Sequence, residues 1–372
     1  MFSLLSSLKS SGSTSVVFEE ALKATALASA SAQTRQVGLM AQAKHCYGRA
    51  VSKIGAALHK PATAQDDSVA VALLTLGIYE ALVPDTTPKR ITSHCRGSLV
   101  LLKYRAEKGV TSSLDNGLLT FLVHLGVLEI FLGLDGKSSV FTILKNAPWA
   151  KQGLVEPLLV RAVDFKEKVH STMLSANIRE ASITKILQTG LDIVRDLEAA
   201  AHYKIMSPGP RKMSQQDETQ DEGLNNFNSL LSRNSYASEA IIKGLYLTVR
   251  LDIIECILGL SIALGEPTRE ELSMLASLPH GLTALEQICE QIRIVFGFDG
   301  REPASRDRGI GFNVWCMFWP MMSVLKSGFA DRDTKLWVMD KCSLVSQASG
   351  FGMSMYQMGW FDRSSVDLGT AS

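Results

Sequence analysis

The amino-acid sequence predicts an all-α protein, and three observations support this class. Apolar residues recur at helical spacing along most of the 372 residues, with capping residues or prolines at the ends of these stretches. No stretch alternates convincingly between apolar and polar residues, and no hairpin turn joins two apolar runs. The hydrophobic fraction of 46% suits a sizeable core and is too high for a disordered chain. We expect a large multi-helix bundle or stacked helical pairs that form one domain.

The first part of the chain divides into helices at clear start and stop signals. Glu19 and Glu20 fall in the first turn of the first helix, where the helix dipole favours anions, and the many alanines and serines after them allow a neighbouring helix to approach closely. Pro61 ends the second helix, and polar residues at positions 63, 66 and 67 offer caps for the third. Thr87 and Pro88 form an N-cap followed by a proline at the first helical position. The predicted helices are 18–35, 39–59, 68–82 and 87–109.

The most apolar stretch, residues 118–134, is predicted to be a buried core helix. It is about long enough to cross a bilayer, but His124 and Glu129 in its middle are costly in lipid. Residues 1–9 lack the unbroken apolar run of a signal peptide. Helical periodicity then continues to the C-terminus, with helices predicted at 154–172, 182–204, 240–264, two within 269–298, and at 311–326, 333–348 and around Met353.

One segment differs from the rest in composition. Residues 207–233 are rich in Gln, Asp, Glu, Asn and Pro, and their first two-thirds contain almost no apolar side chains. Such a segment cannot offset its ordering entropy by burial, so we predict a mobile loop there. The expected organisation is an N-terminal helical half (1–206), the polar loop (207–233), a C-terminal helical half of the same domain (234–364) and a disordered tail (365–372).

Known catalytic and phosphate-binding motifs are incomplete in this sequence. Gly136, Lys137 and Ser138 match the end of a P-loop, but the first glycine of that motif is replaced by Phe131 and a helix, not a strand, precedes it. Residues 350–352 (Gly-Phe-Gly) lack the third glycine of a dinucleotide site and are interpreted as a helix terminus. No spacing of histidines and carboxylates indicates a dyad or triad. We expect neither enzymatic activity nor a bound cofactor.

The six cysteines include no C-x-x-C pair and are interpreted as scattered buried thiols of a reducing compartment. Two of them follow a histidine directly, in the pairs His45–Cys46 and His94–Cys95. Neighbours on a helix point about 100° apart, so each pair could supply at most one ligand to a two-helix metal site. Ordinary packing is the favoured interpretation, and no metal is expected.

Aromatic and sulfur-containing side chains concentrate near the C-terminus. Methionines beside flat rings can line an adaptable pocket or partner groove, or they can form a sulfur-rich helix core. The core interpretation is favoured, and the other is kept open. The candidate effector or partner surface consists of Trp315, Trp319, Trp337, Met321 and Met322.

Several segments together resemble the regulatory domain of fungal zinc binuclear-cluster transcription factors. Residues 21–31 (ALKATALASAS) resemble the alanine/serine helix of that family, and residues 43–58 (AKHCYGRAVSKIGAAL) resemble its "YGRAL" helix. Tyr79 and Glu80 match the end of an "LLxLYE" helix, and His94 and Gly97 match an "HxxGAxxLL" element. Residues 319–321 (Trp-Pro-Met), 336–337 (Leu-Trp) and 350–351 (Gly-Phe) echo a C-terminal block of the family. The resemblance extends over nearly the whole chain.

The sequence departs from the family pattern at two points. Ile91 occupies a position where the family often has tryptophan, and the chain lacks the six closely spaced cysteines that bind two zinc ions and read DNA. We therefore expect either a stand-alone regulator or a start codon that was assigned too late. Lys and Arg (38) nearly balance Asp and Glu (37), whereas a protein that holds DNA through its own surface usually shows a clear basic excess.

The resemblance implies a transcription regulator that is located in the nucleus. Without the resemblance we would expect a cytoplasmic protein. It would have no DNA-binding module of its own and would act by binding a DNA-binding protein partner, a second copy of itself or a small-molecule effector. It would serve a biosynthetic gene cluster. We expect no direct nucleic-acid contact and no membrane association. Two alternatives stay open. The chain could be the C-terminal part of a longer zinc-cluster factor, or a helical small-molecule-binding protein or enzyme that uses the Trp/Met-rich C-terminal region.

Overall fold

The protein is all-α, as the sequence predicts. The computed structural model describes residues 15–60, 65–83, 88–110, 157–174, 180–206, 235–263, 280–298 and 310–350, with the single positions 112, 118 and 122. These residues contain ten α-helices and no strand. The helices are α1 (Val16–Thr34), α2 (Val37–Leu58), α3 (Asp67–Leu82), α4 (Pro88–Glu107), α5 (Pro157–Met173), α6 (Glu180–Met206), α7 (Ser235–Ala263), α8 (His280–Phe296), α9 (Ile310–Lys326) and α10 (Arg332–Ser349).

Helices α3 and α10 start with side-chain caps, of which Asp66 is among those that the sequence offers; the predicted cap Thr87 lies outside the described residues. The carboxylate of Asp66 accepts a hydrogen bond from the backbone N–H of Ser68 at 2.9 Å, and Asp331 accepts one from Thr334 at 2.7 Å. Each bond satisfies a backbone donor that the first turn of the helix leaves without an intrahelical acceptor. Pro88 opens α4, and Gly350 ends α10 in the left-handed conformation with φ 69°. The prediction that Gly350 belongs to a helix terminus is confirmed.

The helices pack in pairs around one large apolar core, and a smaller second apolar cluster lies between α1, α2 and α3. Helix α1 packs against α2 and α3, and α4 packs against α3. Helix α7 is central among the remaining helices, because it contacts α5, α6, α8 and α9, while α10 packs against α9. Buried side chains from Phe18 in α1 to Val345 in α10 belong to a single core cluster. The two halves therefore share their apolar interior.

Small side chains bring α1 close to its neighbours, as its alanine-rich sequence predicts. Ala21, Ala24 and Ala28 are fully buried. The hydroxyl of Thr25 donates to the backbone carbonyl of Thr75 in α3 at 3.0 Å, which requires the two backbones to lie close together. A direct helix–helix approach of this kind excludes bulky side chains from the contact face.

The C-terminal end of α10 closes onto α1. The side-chain amide of Gln33 donates to the backbone carbonyl of Ser349 at 3.2 Å. A Cβ atom added to Gly350 would lie 2.7 Å from Cβ of Ala32, so this contact depends on the absence of a side chain. The first and last described helices are thereby joined.

Some predicted features lie outside the described residues. These are the polar loop 207–233, the tail 365–372, the Gly136–Lys137–Ser138 turn and the helix around Met353. Of the apolar stretch 118–134 only Leu118 and Leu122 are described; both are helical and buried. None of the described helices combines the length and the apolar composition needed to cross a bilayer.

Candidate functional site

The Trp/Met residues predicted near the C-terminus divide between the core and a surface groove. Trp319, Met321 and Met322 in α9 are between 1% and 2% exposed and belong to the core cluster. Trp315 also lies in α9, but its side chain falls outside the described part of the structure. Trp337 in α10 is half-buried and reaches the surface. Among the described side chains, the predicted effector or partner surface is therefore represented by Trp337 alone.

Trp337 is held by cationic and aromatic neighbours. The guanidinium carbon of Arg293 in α8 lies 4.7 Å from the centre of its ring, in cation–π geometry. Phe298 meets the same indole edge-on, with ring centres 6.5 Å apart and planes at 86°. The ammonium group of Lys341 in turn lies 5.1 Å from the centre of the Phe298 ring. These contacts fix the indole in one orientation at the junction of α8 and α10.

A groove of about 310 Å³ opens beside Trp337, and we call it the α8–α10 groove. Its volume is at the lower end of the range of small-molecule sites. Leu285 and Cys289 form the apolar floor and are 5% exposed. The lining residues are Leu285, Glu286, Cys289 and Arg293 from α8, and Asp333, Thr334 and Trp337 from α10.

The groove combines an inert floor with charged walls. Burial raises the pKa of the Cys289 thiol to about 11, although Arg293 opposes this effect, so the thiol is protonated at neutral pH. Glu286 and Asp333 are exposed carboxylates on opposite helices. The arrangement offers shape, an aromatic wall and fixed charge, and it offers no activated nucleophile among the described residues.

A second arrangement joins motif residues that are far apart in the sequence. The hydroxyl of Tyr47 in α2 donates to Oε1 of Glu80 in α3 at 2.7 Å and lies 3.1 Å from Nε2 of His94 in α4. The same His94 nitrogen lies 3.1 Å from Oε1 of Glu80. We call these three residues the Tyr47–Glu80–His94 network. Tyr79 stacks on Tyr47 with ring centres 4.5 Å apart.

The network is a connection between helices rather than an open reaction site. Glu80 is only 1% exposed, and the three side chains come from three different helices. Buried polar groups that satisfy one another fix the relative positions of the elements that carry them. Glu80 and His94 match motifs of the family resemblance, and Tyr47 lies in the segment 43–58 that resembles its "YGRAL" helix, but the sequence did not predict that the three residues meet.

The histidine–cysteine pairs do not converge on a metal site within the described residues. His45 is exposed while Cys46 is buried, as expected for neighbours on one helix. His94 belongs to the Tyr47–Glu80–His94 network, and the side chain of Cys95 lies outside the described part. No group of three or more His, Cys, Asp or Glu side chains in that part could hold a metal ion.

A third polar cluster, which the sequence analysis missed, lies between α5, α7 and the end of α9. Lys166 pairs with Asp252 at 2.5 Å. Glu255, one turn further along α7, accepts hydrogen bonds from the Ser327 hydroxyl at 2.6 Å and the Gly328 N–H at 3.0 Å. Burial raises the pKa of both carboxyl groups, while Lys166 opposes the shift at Asp252. The sequence signal for this cluster was a pair of carboxylates, three positions apart, in the otherwise apolar stretch 251–260 of α7.

The comparisons with known proteins add no relative. No family model, no curated protein and no solved structure matches this chain.

Proposed function

We propose that this chain is a helical regulatory domain of the kind found in fungal zinc binuclear-cluster transcription factors. In this proposal it works in the nucleus and controls transcription by binding a DNA-binding protein or a second copy of itself. Regulation of a biosynthetic gene cluster is part of the same proposal. The network defined above carries it: residues of three separate motif segments of the resemblance meet in one hydrogen-bonded group.

The convergence supports the resemblance for a physical reason. A motif that reflects only apolar periodicity fixes which face of a helix is buried, and it does not require distant polar residues to meet. Tyr47, Glu80 and His94 are each polar or amphipathic, and a buried carboxylate is costly unless it has partners. Apolar periodicity alone would not bring these three residues together. Their contact is what we would expect if the three motif segments belong to one common fold.

The charge of the chain supports action through a protein partner. With a formal net charge of +1, the 372 residues carry little of the positive potential that attracts a nucleic-acid backbone. A regulatory domain of this composition depends on a partner for its position on DNA.

A reporter assay tests the proposal. The full chain is fused to an unrelated DNA-binding module, and transcription from a promoter with that module's site is compared with the unfused module. A Gly190→Val variant, whose added side chain would clash with neighbouring helices, serves as the folding control. We expect the intact chain to change reporter output by several fold and the control to lose this effect. Unchanged output with a folded chain contradicts regulation of transcription.

A mobility-shift experiment tests the mode of action separately. The purified chain is titrated against genomic duplex fragments at moderate salt, alone and with a zinc-cluster factor from the same organism. Binding only in the presence of the factor supports action through a partner. Tight sequence-specific binding by the chain alone contradicts it.

The α8–α10 groove favours a second candidate function, that of a helical small-molecule-binding protein. It provides an apolar floor, an oriented indole and charged walls in one place. Thermal-shift screening against metabolites tests this candidate. A stabilising compound whose effect disappears in Trp337→Leu supports it, and the absence of any such compound argues against it.

A further inference from the structure

The charges of the α8–α10 groove are not balanced. Arg293 is already engaged, because it stacks on Trp337 at 4.7 Å and lies 3.7 Å from the carboxylate of Glu290. Glu286 and Asp333 form no ion pair with any residue in the described part of the chain. Asp331, which caps α10, adds a further negative charge close to the Cys289 thiol. Among its described lining residues the groove thus has two carboxylates without an ion-pair partner and one cation, Arg293, which is engaged by Trp337 and Glu290.

The same groove also has apolar surfaces against which the body of a ligand would rest. Leu285 and Cys289 form the floor, and the oriented indole of Trp337 forms one wall. Flat rings pack well against an indole, and a cation held between carboxylates gains Coulomb energy that an anion would lose. The lining of the groove therefore favours a ligand with a flat apolar body and a positive charge.

We propose that the α8–α10 groove binds a small organic cation that consists of a flat apolar body and an ammonium head. The body packs on Leu285 and Trp337, and the ammonium group lies between Glu286 and Asp333. This inference rests on the second candidate function, small-molecule binding in this groove, and it does not depend on whether the chain regulates transcription. Binding a ligand across α8 and α10 would also stabilise their junction against opening.

The test compares three probes of similar shape and different charge. Phenethylammonium, 2-phenylethanol and 3-phenylpropionate are titrated into the full chain by calorimetry at low ionic strength, with ligand-observed NMR as a second readout. We expect phenethylammonium to bind most tightly, in the millimolar range typical of so small a ligand, and 3-phenylpropionate least tightly. Affinity for the cation should fall as salt is added, because the carboxylates are exposed.

Variants identify the groove as the binding site. Glu286→Gln combined with Asp333→Asn should weaken phenethylammonium binding roughly fivefold, which corresponds to about 1 kcal/mol for the two exposed ion pairs together. Both side chains are exposed, so the melting temperature should fall only slightly, through the loss of an anion from the first turn of α10 at Asp333. Glu107→Gln, at an exposed site on α4, is the matched control and should leave binding unchanged.

Each of four results would overturn the inference. Tightest binding of 3-phenylpropionate would show that Arg293 is the anchoring charge. Equal binding of all three probes would show that the carboxylates give no preference for a positive charge. Binding of none of them at concentrations up to tens of millimolar would show that the groove does not bind such a ligand. Unchanged affinity in the double variant would place the cation elsewhere on the protein.

Discussion

Gly190 in α6 lies against the ring of Phe165 in α5, so closely that a Cβ atom on the glycine would be 2.6 Å from Cζ of the phenylalanine. The same Cβ would be 2.9 Å from two side-chain atoms of Ile257 in α7. Phe165 and Ile257 are each 2% exposed and have no solvent into which to move. Three helices therefore meet at a position that accommodates no side chain.

Gly190→Ala should destabilise the protein even though alanine is the better helix former. The gain in helix propensity is about 1 kcal/mol, and overpacking a tight interior costs about 1–3 kcal/mol. Urea unfolding, followed by circular dichroism, measures the difference. Gly48→Ala in α2 is the matched control, because nothing lies within 4 Å of its added Cβ, and it should stabilise the protein by about 0.5–1 kcal/mol. A stabilising effect at both positions would contradict the close approach of the three helices.

A second pair of glycines, Gly109 and Gly350, allows the cost of backbone strain to be measured apart from the cost of a helix–helix clash. Gly109 and Gly350 both have φ 69°, where an alanine costs about 1–2 kcal/mol. A Cβ on Gly109 meets nothing within 4 Å, whereas one on Gly350 would also lie 3.3 Å from the backbone oxygen of Ser29 and closer still to Ala32. Gly350→Ala should therefore lower the free energy of unfolding by about 1–3 kcal/mol more than Gly109→Ala does. Equal losses in urea unfolding would mean that α10 does not close onto α1.

Local sequence signals predicted the helices well because the chemistry that starts and ends a helix is local. Asp66 caps a backbone N–H two residues away, and Gly350 ends α10 through its own backbone conformation. The same signals could not show which buried polar residues meet. Tyr47 is 33 residues from Glu80 and 47 from His94, and helical periodicity does not specify which faces of three helices oppose one another.

The candidate groove was only partly predictable for a related reason. Helix α9 is apolar on nearly all sides, so its pattern does not separate a buried Trp319 from a surface tryptophan. Trp337 lies in a more polar helix, which is consistent with its half-buried position. Its partner Arg293 comes from a different helix, and the distance in sequence gives no indication of their stacking.

Removing the hydroxyl of Tyr47 should weaken the packing of α2, α3 and α4. Tyr47→Phe leaves the buried Glu80 carboxylate without the donor at 2.7 Å, and hydrogen bonds to charged groups contribute about 1.5–3 kcal/mol. Thermal or urea unfolding measures this loss. Tyr104→Phe in α4 is the matched control, since the Tyr104 hydroxyl forms no hydrogen bond within the described part of the chain, and its stability should stay within about 0.5 kcal/mol of the wild type. Similar losses in both variants would argue against the network.

Glu255 should make stability depend on pH in the direction opposite to that of a salt-bridged carboxylate. Burial raises its pKa above the ordinary 4.5 in the folded state, so between these two values the native state binds more protons than the unfolded state. The contribution of this group to stability therefore falls as the pH rises through that window, by about 1.4 kcal/mol for each unit by which the pKa is raised.

Glu255→Gln keeps an oxygen that can accept from Ser327 and Gly328 and removes the charge. The variant should match the wild type near pH 4 and become the more stable of the two towards pH 7, when the free energies of unfolding in urea are compared. A variant that is less stable at pH 7 than at pH 4, relative to the wild type, would show that the charged form of Glu255 is the favoured one.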